Sequence, residues 1–405
     1  MSTNLIQKPQ QKVFEISHKE VLDRLMEISR EYQKGLIHRN KILNFCKYAR
    51  DATGISRSVL SSTLKNYGID LSEEIKRIDS FVPNDPRYYI RKFNRSDAEL
   101  VVESIYQHPD TYKLESKYYE ALTGKVVNEG DDRQTFGSIC LNQAEQFAST
   151  FYGNGRKLDR KNFHGSVSVD QSNPNLQHKF SDPNSLNPKN WVFYDLGIKG
   201  IDETYTLKES INTRIYLHPK LEKVYVVWDE LLKMLSKSPI IAKYGYQSKV
   251  PNFFYYSHPI TIQISNQHDR ILFYFGENTR LEAANIICDY IKNHPENFEV
   301  CHSLAMPLTN PFGTNKDVAF ISDEIPKDKE ESFNGLQAEI IDSIIKDFIQ
   351  QRHVKMSVKE YMTSIRLNKV SQSILIEYLT KHYPIVSNRF GFRSDNTAFL
   401  QSSIL

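Results

Sequence analysis

The densest set of reactive side chains lies between Thr213 and Tyr274. Arg214, Tyr216 and His218 alternate along an apolar run, and a strand's period of two puts all three on one face. A guanidinium, a phenol and an imidazole side by side suit an oxyanion such as phosphate, because arginine forks two parallel hydrogen bonds to paired oxygens. The same spacing also describes the solvated polar face of an edge strand. Lys243 and Lys249 flank Gly245. A lysine in a cation-rich, half-dry pocket can act as a base, whereas a surface lysine is the common case. His268, Asp269 and Arg270 lead into the run Ile271 to Tyr274, where the aspartate can orient the arginine or make an ordinary ion pair at a strand entry.

The usual signatures of other chemistries are missing from the sequence. His164, His178, His258 and His302 show no HExxH or other paired metal spacing, so no metal is expected. Phe136-Gly137-Ser138 and Pro311-Phe312-Gly313 match neither GxxxxGK[ST] nor GxGxxG, and there is no GxSxG elbow. Kinase, dinucleotide and serine-hydrolase readings therefore have no support, and no cofactor is expected. Cys46, Cys140, Cys288 and Cys301 are scattered without a CxxC pair, which reads as free thiols in a reducing compartment. A net charge of +3 is too small to argue for nucleic acid or an anionic membrane. No run reaches the length of a membrane span. The polar start, Met1 to Lys12, lacks a secretory apolar core, so a protein that stays in the cytoplasm, or one exported without a cleaved peptide, is expected.

The elements that position these residues can be read from periodicity. Residues 1–16 read as a disordered polar terminus and 17–80 as a helical bundle. Ser17 is set as an N-cap with Glu20 three residues on, and further helices begin near Ile42, Val59 and Ser72. Val82 to Phe93, with Pro83 and Pro86, reads as a linker or crossover. Ser96 is expected to cap a helix through Ile105, with helical stretches at Lys117–Leu122 and Thr135–Tyr152. Gly153–Lys189 reads as a long loop with a short strand at Ser166–Val169. Strands are expected from Trp191, Thr213, Phe253, Thr261, Ile271, Phe298 (to Leu304) and Asp317, with helices at Val224–Leu235 and Leu281–Lys292. Helices at Leu336–Phe348, Val358–Ile365 and Val370–Leu379 precede a frayed tail. The fold class is α+β: a mostly antiparallel central sheet with crossover helices, a helical N-terminal bundle and a helical C-terminal region.

With these residues laid out, the chain resembles the HopA-type family of type III secretion effectors, which is related to phosphothreonine-lyase-like and lanthipeptide lyase domains. The similarity rests on Arg214-Ile-Tyr-Leu-His218-Pro219, Lys249-Val-Pro, Asp269 with Leu272-Phe-Tyr274, Ala305-Met-Pro307-Leu-Thr309 and Ser332-Phe333-Asn334-Gly335-Leu336. It covers roughly residues 95–350, leaving 351–405 as C-terminal helices. His218 stands where the family usually has Asn, and His268-Asp269 replaces an Arg-Asp pair. The interval from Lys249 to Asp269 is long, so Lys243 is the alternative to Lys249 as the matching lysine.

The resemblance implies β-elimination of phosphate from phosphoserine or phosphothreonine. In that scheme Lys249 or Lys243 is the base. His218 is the proton donor or a phosphate contact. Arg214 and Arg270, with Tyr216 or Thr309, hold the phosphate. The implied partner is a phosphorylated protein or peptide, with a host protein and a secretion chaperone as further partners. The alternatives are a non-catalytic effector that binds a host immune regulator, and a lyase of lanthipeptide-type peptide modification.

Overall fold

The structure is a computed structural model. It describes residues 16–107, 176–180, 191–199, 205–206, 210–220, 223–251, 270–301, 303–308, 318–324, 333–352, 360–361, 364 and 368–403.

The N-terminal helices are α1 (His18–Gln33), α2 (Arg39–Thr53), α3 (Arg57–Asn66) and α4 (Ser72–Lys76). The Ser17 hydroxyl accepts from the Glu20 amide while the Glu20 carboxylate accepts from the Ser17 amide, so two otherwise orphaned donors are satisfied at once. Helix α2 stops at Gly54, whose φ of 70° suits a residue without Cβ. Val21, Leu25, Ile28, Ile42, Phe45, Leu60 and Leu64 are fully buried in the bundle's own core.

Val82 to Phe93 is more than a linker. Asp85 and Arg87 within it are buried and make charged contacts that reach residue 280. A hydrophilic tetrapeptide around two prolines gives no hint of that, because ion pairs leave no periodic trace in sequence. Helix α5 (Arg95–Gln107) is capped by Asn94 instead of Ser96: Asn94 Oδ1 accepts from the Asp97 amide and Asp97 Oδ2 accepts from the Asn94 amide. The reciprocal pair needs its two members three residues apart, and Asn94–Asp97 has that spacing.

The strands are β1 (Leu176–Phe180), β2 (Trp191–Lys199), β3 (Tyr205–Thr206), β4 (Ile211–Leu217), β5 (Tyr246–Pro251), β6 (Ile271–Gly276), β7 (Met306–Pro307) and β8 (Ala319–Asp323). They form one sheet in the order β1-β2-β5-β6-β4-β8-β7, with β3 paired to the end of β2, and every pair is antiparallel. Strands β4 and β5 run the same way on either side of β6. They are joined over it by α6 (Val224–Lys237) and α7 (Pro239–Tyr244), the crossover that the amphipathic run after Val224 predicts. Further helices are α8 (Arg280–Asn293), α9 (Phe333–Gln351) and α10 (Lys369–Arg389).

Each face of the sheet has its own apolar layer. One face carries Ile215, Leu217, Tyr246, Val250, Ile271, Phe273, Phe275 and Ile321 against α6, α7 and α8. There Trp228 is fully buried, and its indole N–H donates to Ser248 Oγ at 2.8 Å. The opposite face carries Tyr216, Leu272, Tyr274 and Phe320 against α5, α9 and α10. Fully burying one such aliphatic or aromatic side chain contributes about 1.5–3 kcal/mol, so the two layers dominate the energetics. This is the expected α+β architecture.

Three further expectations fail. Strand β1 lies inside the supposed loop Gly153–Lys189. Among the described strands it stands at the sheet's edge and pairs on one side only, so it needs little apolar signal. The described residues of Phe298–Leu304 do not form a strand. Phe298 makes a single bridge to Pro219, Val300 is 60% exposed, and Glu299 is drawn to His218 and Arg270 at the end of β4. The tail is not frayed after Leu379. Helix α10 continues through Pro384 to Arg389, and Phe392, Ala398 and Phe399 beyond it are buried in the two sheet layers. Proline removes one amide donor, and Tyr383, buried in the turn before it, holds the helix in place. The readings at 117–122, 135–152, 166–169, 253–256 and 261–264 lie outside the described residues, as does most of Val358–Ile365.

Candidate functional site

The alternation of β4, β5, β6 and β8 lays out the candidate residues as a grid. On the face toward α9, β4 presents Arg214 and Tyr216, and His218 follows just past the strand. Strand β6 presents Tyr274 and Leu272, preceded by Arg270; β5 presents Gln247 and Lys249; β8 presents Phe320 and Ser322, followed by Glu324. The register makes rows: Arg214, Tyr274 and Gln247 form one, and Tyr216, Leu272 and Lys249 the next. Five of the candidates, Arg214, Tyr216, His218, Lys249 and Arg270, therefore share one face.

Two of them meet at one ring. The Arg214 guanidinium carbon is 4.9 Å from the centre of the Tyr274 ring, and Lys249 Nζ is 5.8 Å from the same centre. An aromatic π face attracts either cation. Arg214 is also 5.8 Å from the ring of Tyr216.

Arg214 is buried, and Glu324 takes one side of its fork: Nε donates to Oε2 and Nη2 to Oε1, both at 2.6 Å. Nη1 has no hydrogen-bond partner among the described residues. Burial works against the arginine's charge. Tyr216, Tyr274 and Glu324 outweigh it and hold the pKa well above the ordinary arginine value. The Tyr216 hydroxyl lies 3.3 Å from Ser322 Oγ.

A second group gathers at the other end of the face. The Glu299 carboxylate accepts from Arg270 Nη1 and lies 3.7 Å from His218 Nε2, while Arg270 Nη1 also donates to the Pro219 carbonyl at 2.7 Å. Four residues of strand separate Arg214 from His218, about 13 Å of rise. The two groups are neighbours on one face, with Tyr216 between them.

Lys243 is elsewhere. It is exposed on α7, in the layer on the opposite face, with Nζ 5.0 Å from the centre of the Tyr244 ring. Thr309, His268 and Asp269 lie outside the described residues.

Sequence reasoning missed Glu324 and Glu299, which hold the two cationic groups. The period-two run Phe320, Ser322, Glu324 could have shown the first, since it continues the strand's face by one step. Glu299 carried no signal, because the strand expected around it does not form. Among the described residues no group of three or more His, Cys, Asp or Glu is placed to hold a metal ion, and no helix is long and apolar enough to cross a membrane.

No family model matches the chain, and no curated protein matches it. Among solved structures, the chain is similar to an effector protein from Pseudomonas syringae pv. tomato strain DC3000. The identity is 10% and the TM-score 0.37, over 76% of this chain and 98% of that one. It is also similar to an effector protein from Pseudomonas syringae pv. syringae strain 61, at 9% identity and a TM-score of 0.36, over 77% of this chain and 99% of that one.

Proposed function

We propose that the chain binds a phosphorylated serine or threonine of a protein or peptide on the Arg214–Lys249 face and removes the phosphate by β-elimination. The observation that supports this is the meeting of a guanidinium and an amine at the Tyr274 ring, on one face of a rigid sheet. Arg214 holds the phosphate oxygens. Lys249, as the neutral amine, takes the Cα proton. The Cα–H electron pair becomes the Cα=Cβ bond. The Cβ–O bond breaks, and its electrons leave with the phosphate. Tyr216 offers a hydroxyl to the phosphate or peptide, while His218, beside Glu299 at the other end of the face, is left to contact the peptide. Use by an effector acting on a host phosphoprotein, delivered with a secretion chaperone and without a cleaved peptide, is the setting proposed for this chemistry.

One observation favours a second reading, recognition without turnover: Arg214 already holds a carboxylate. A single experiment separates the two. A phosphothreonine peptide is incubated with the wild type, Lys249→Ala and Lys243→Ala, and followed by mass for loss of phosphoric acid and by calorimetry for binding. Elimination requires dehydration by the wild type and by Lys243→Ala but not by Lys249→Ala. Binding without any mass change would leave recognition alone, and full activity in Lys249→Ala would remove the lysine base.

A further inference from the structure

We propose that Glu324 is a specificity-determining residue of the anion site, an internal competitor that sets how tightly a phosphate can hold Arg214. The inference rests on the reading of Arg214 as the phosphate ligand and adds a residue to it.

Glu324 follows β8 directly, and its backbone is pinned by its amide donating to the Asn212 carbonyl at 2.9 Å. That anchor delivers the carboxylate to the Nε–Nη2 edge of Arg214, the geometry in which a carboxylate mimics two oxygens of a phosphate. The arginine side chain is 9% exposed and the glutamate 20%, so the pair is held in a poorly screened setting at the margin of solvent. An incoming phosphate therefore meets a cation whose charge is already offset. It must use the outer Nη1–Nη2 edge beside a negative neighbour, or displace the carboxylate. Either route weakens binding of a dianion. It also leaves Lys249, the next cation along the face, to draw the phosphate in.

A glutamate that served only to neutralise a buried arginine would have a different signature. Its removal would cost stability, and added phosphate would not restore it.

The test uses the full chain as wild type, Glu324→Gln, Glu324→Asp and the double variant Arg214→Met/Glu324→Gln. Inorganic phosphate and a phosphothreonine peptide are titrated by calorimetry, and Tm is measured with and without phosphate. Glu324→Gln is expected to bind both probes about tenfold more tightly than the wild type, and to gain more in Tm from phosphate. Glu324→Asp, with its charge withdrawn by one methylene, is expected to be intermediate, and it carries the test if the Gln variant does not fold. The double variant is expected to lose the gain. Binding by a folded Glu324→Gln that is no tighter than wild type overturns the inference and leaves the proposed function standing. So does tightening that survives the loss of Arg214. Failure of wild type and both single variants to bind either probe overturns both.

Discussion

Asp85 and Arg280 lie 195 positions apart and meet at 2.7 Å, with each side chain only 4% exposed. Asp85 comes from the turn that follows the helical bundle, and Arg280 is the first residue of α8. Arg87 donates to the same carboxylate and, with Arg280, to Glu277. Arg393, from the C-terminal segment, donates to the Arg87 carbonyl and covers the ring of Tyr48 in the bundle. The junction between bundle, sheet and tail is thus ionic where the cores on either side are apolar.

Replacing Asp85 by Asn leaves Arg280 and Arg87 buried with only the half-exposed Glu277 as a shared anion. The expected cost is about 3–5 kcal/mol, read from urea unfolding at neutral pH. A variant within about 1 kcal/mol of wild type would show that the junction contributes little.

The same carboxylate gives the protein a defined acid response. Burial raises the pKa of Asp85, but Arg280 and Arg87 outweigh it and hold it below the ordinary value; Glu277 is held low in the same way. A group whose folded pKa is depressed contributes stability that is complete above its unfolded value, about 4, and is lost as pH falls through the folded value. Unfolding free energy of the wild type should therefore drop steeply below about pH 4, and Asp85→Asn should show a shallower acid limb. Parallel limbs would exclude Asp85 as the source.

At the candidate site, loss of a general base typically lowers the rate by about 10²–10⁴-fold. Lys249→Ala should fall in that range in the peptide dehydration assay, and Lys243→Ala should stay within about twofold of wild type. Equal losses in the two variants would point to a shared effect on folding, which circular dichroism would reveal.

Tyr383 is fully buried. Its hydroxyl donates to Gln337 Oε1, and its ring stacks on Phe93 at 3.8 Å. Tyr383→Phe keeps the ring and leaves a buried amide oxygen without its donor, which should cost about 1–3 kcal/mol. Tyr383→Leu should cost more, because the stack with Phe93 goes as well.

Cys46, Cys288 and Cys301 are all buried, and burial pushes the Cys46 and Cys288 thiols up to about 12. Thiolate is the reactive form. In a Cys140→Ser background, an alkylating reagent at pH 8 should leave the folded protein unlabelled and modify three thiols only once urea unfolds it. Rapid labelling in buffer would contradict that burial.

Much of this fold was legible from local patterns. Ser17 with Glu20 marks the first helix, the run from Val224 marks the crossover, and the isoleucines from Ile340 to Ile345 mark α9; each is a repeat within a few residues. Contacts set by distant partners were not legible. Asp85 reads as a polar turn residue until Arg280 is brought to it, and Glu299 reads as a strand residue until His218 and Arg270 claim it. At the site, alternation along β4 places Arg214, Tyr216 and His218 on one face, as read from sequence. Which of Lys243 and Lys249 shares that face was not legible without the strand register, since both are lysines near a glycine.

The last stretch of the described chain has a kinetic consequence. The Asp323 amide, at the end of β8, donates to the Ala398 carbonyl, and Asp323 Oδ2 accepts from the Leu400 amide. Ala398 and Phe399 belong to the layer between the sheet and α6, α7 and α8. The bundle, built from neighbours in sequence, can assemble early during synthesis. The sheet must wait, its hydrophobic underside open to chaperones and to misassociation, until residues almost two hundred positions beyond β4 arrive to close it.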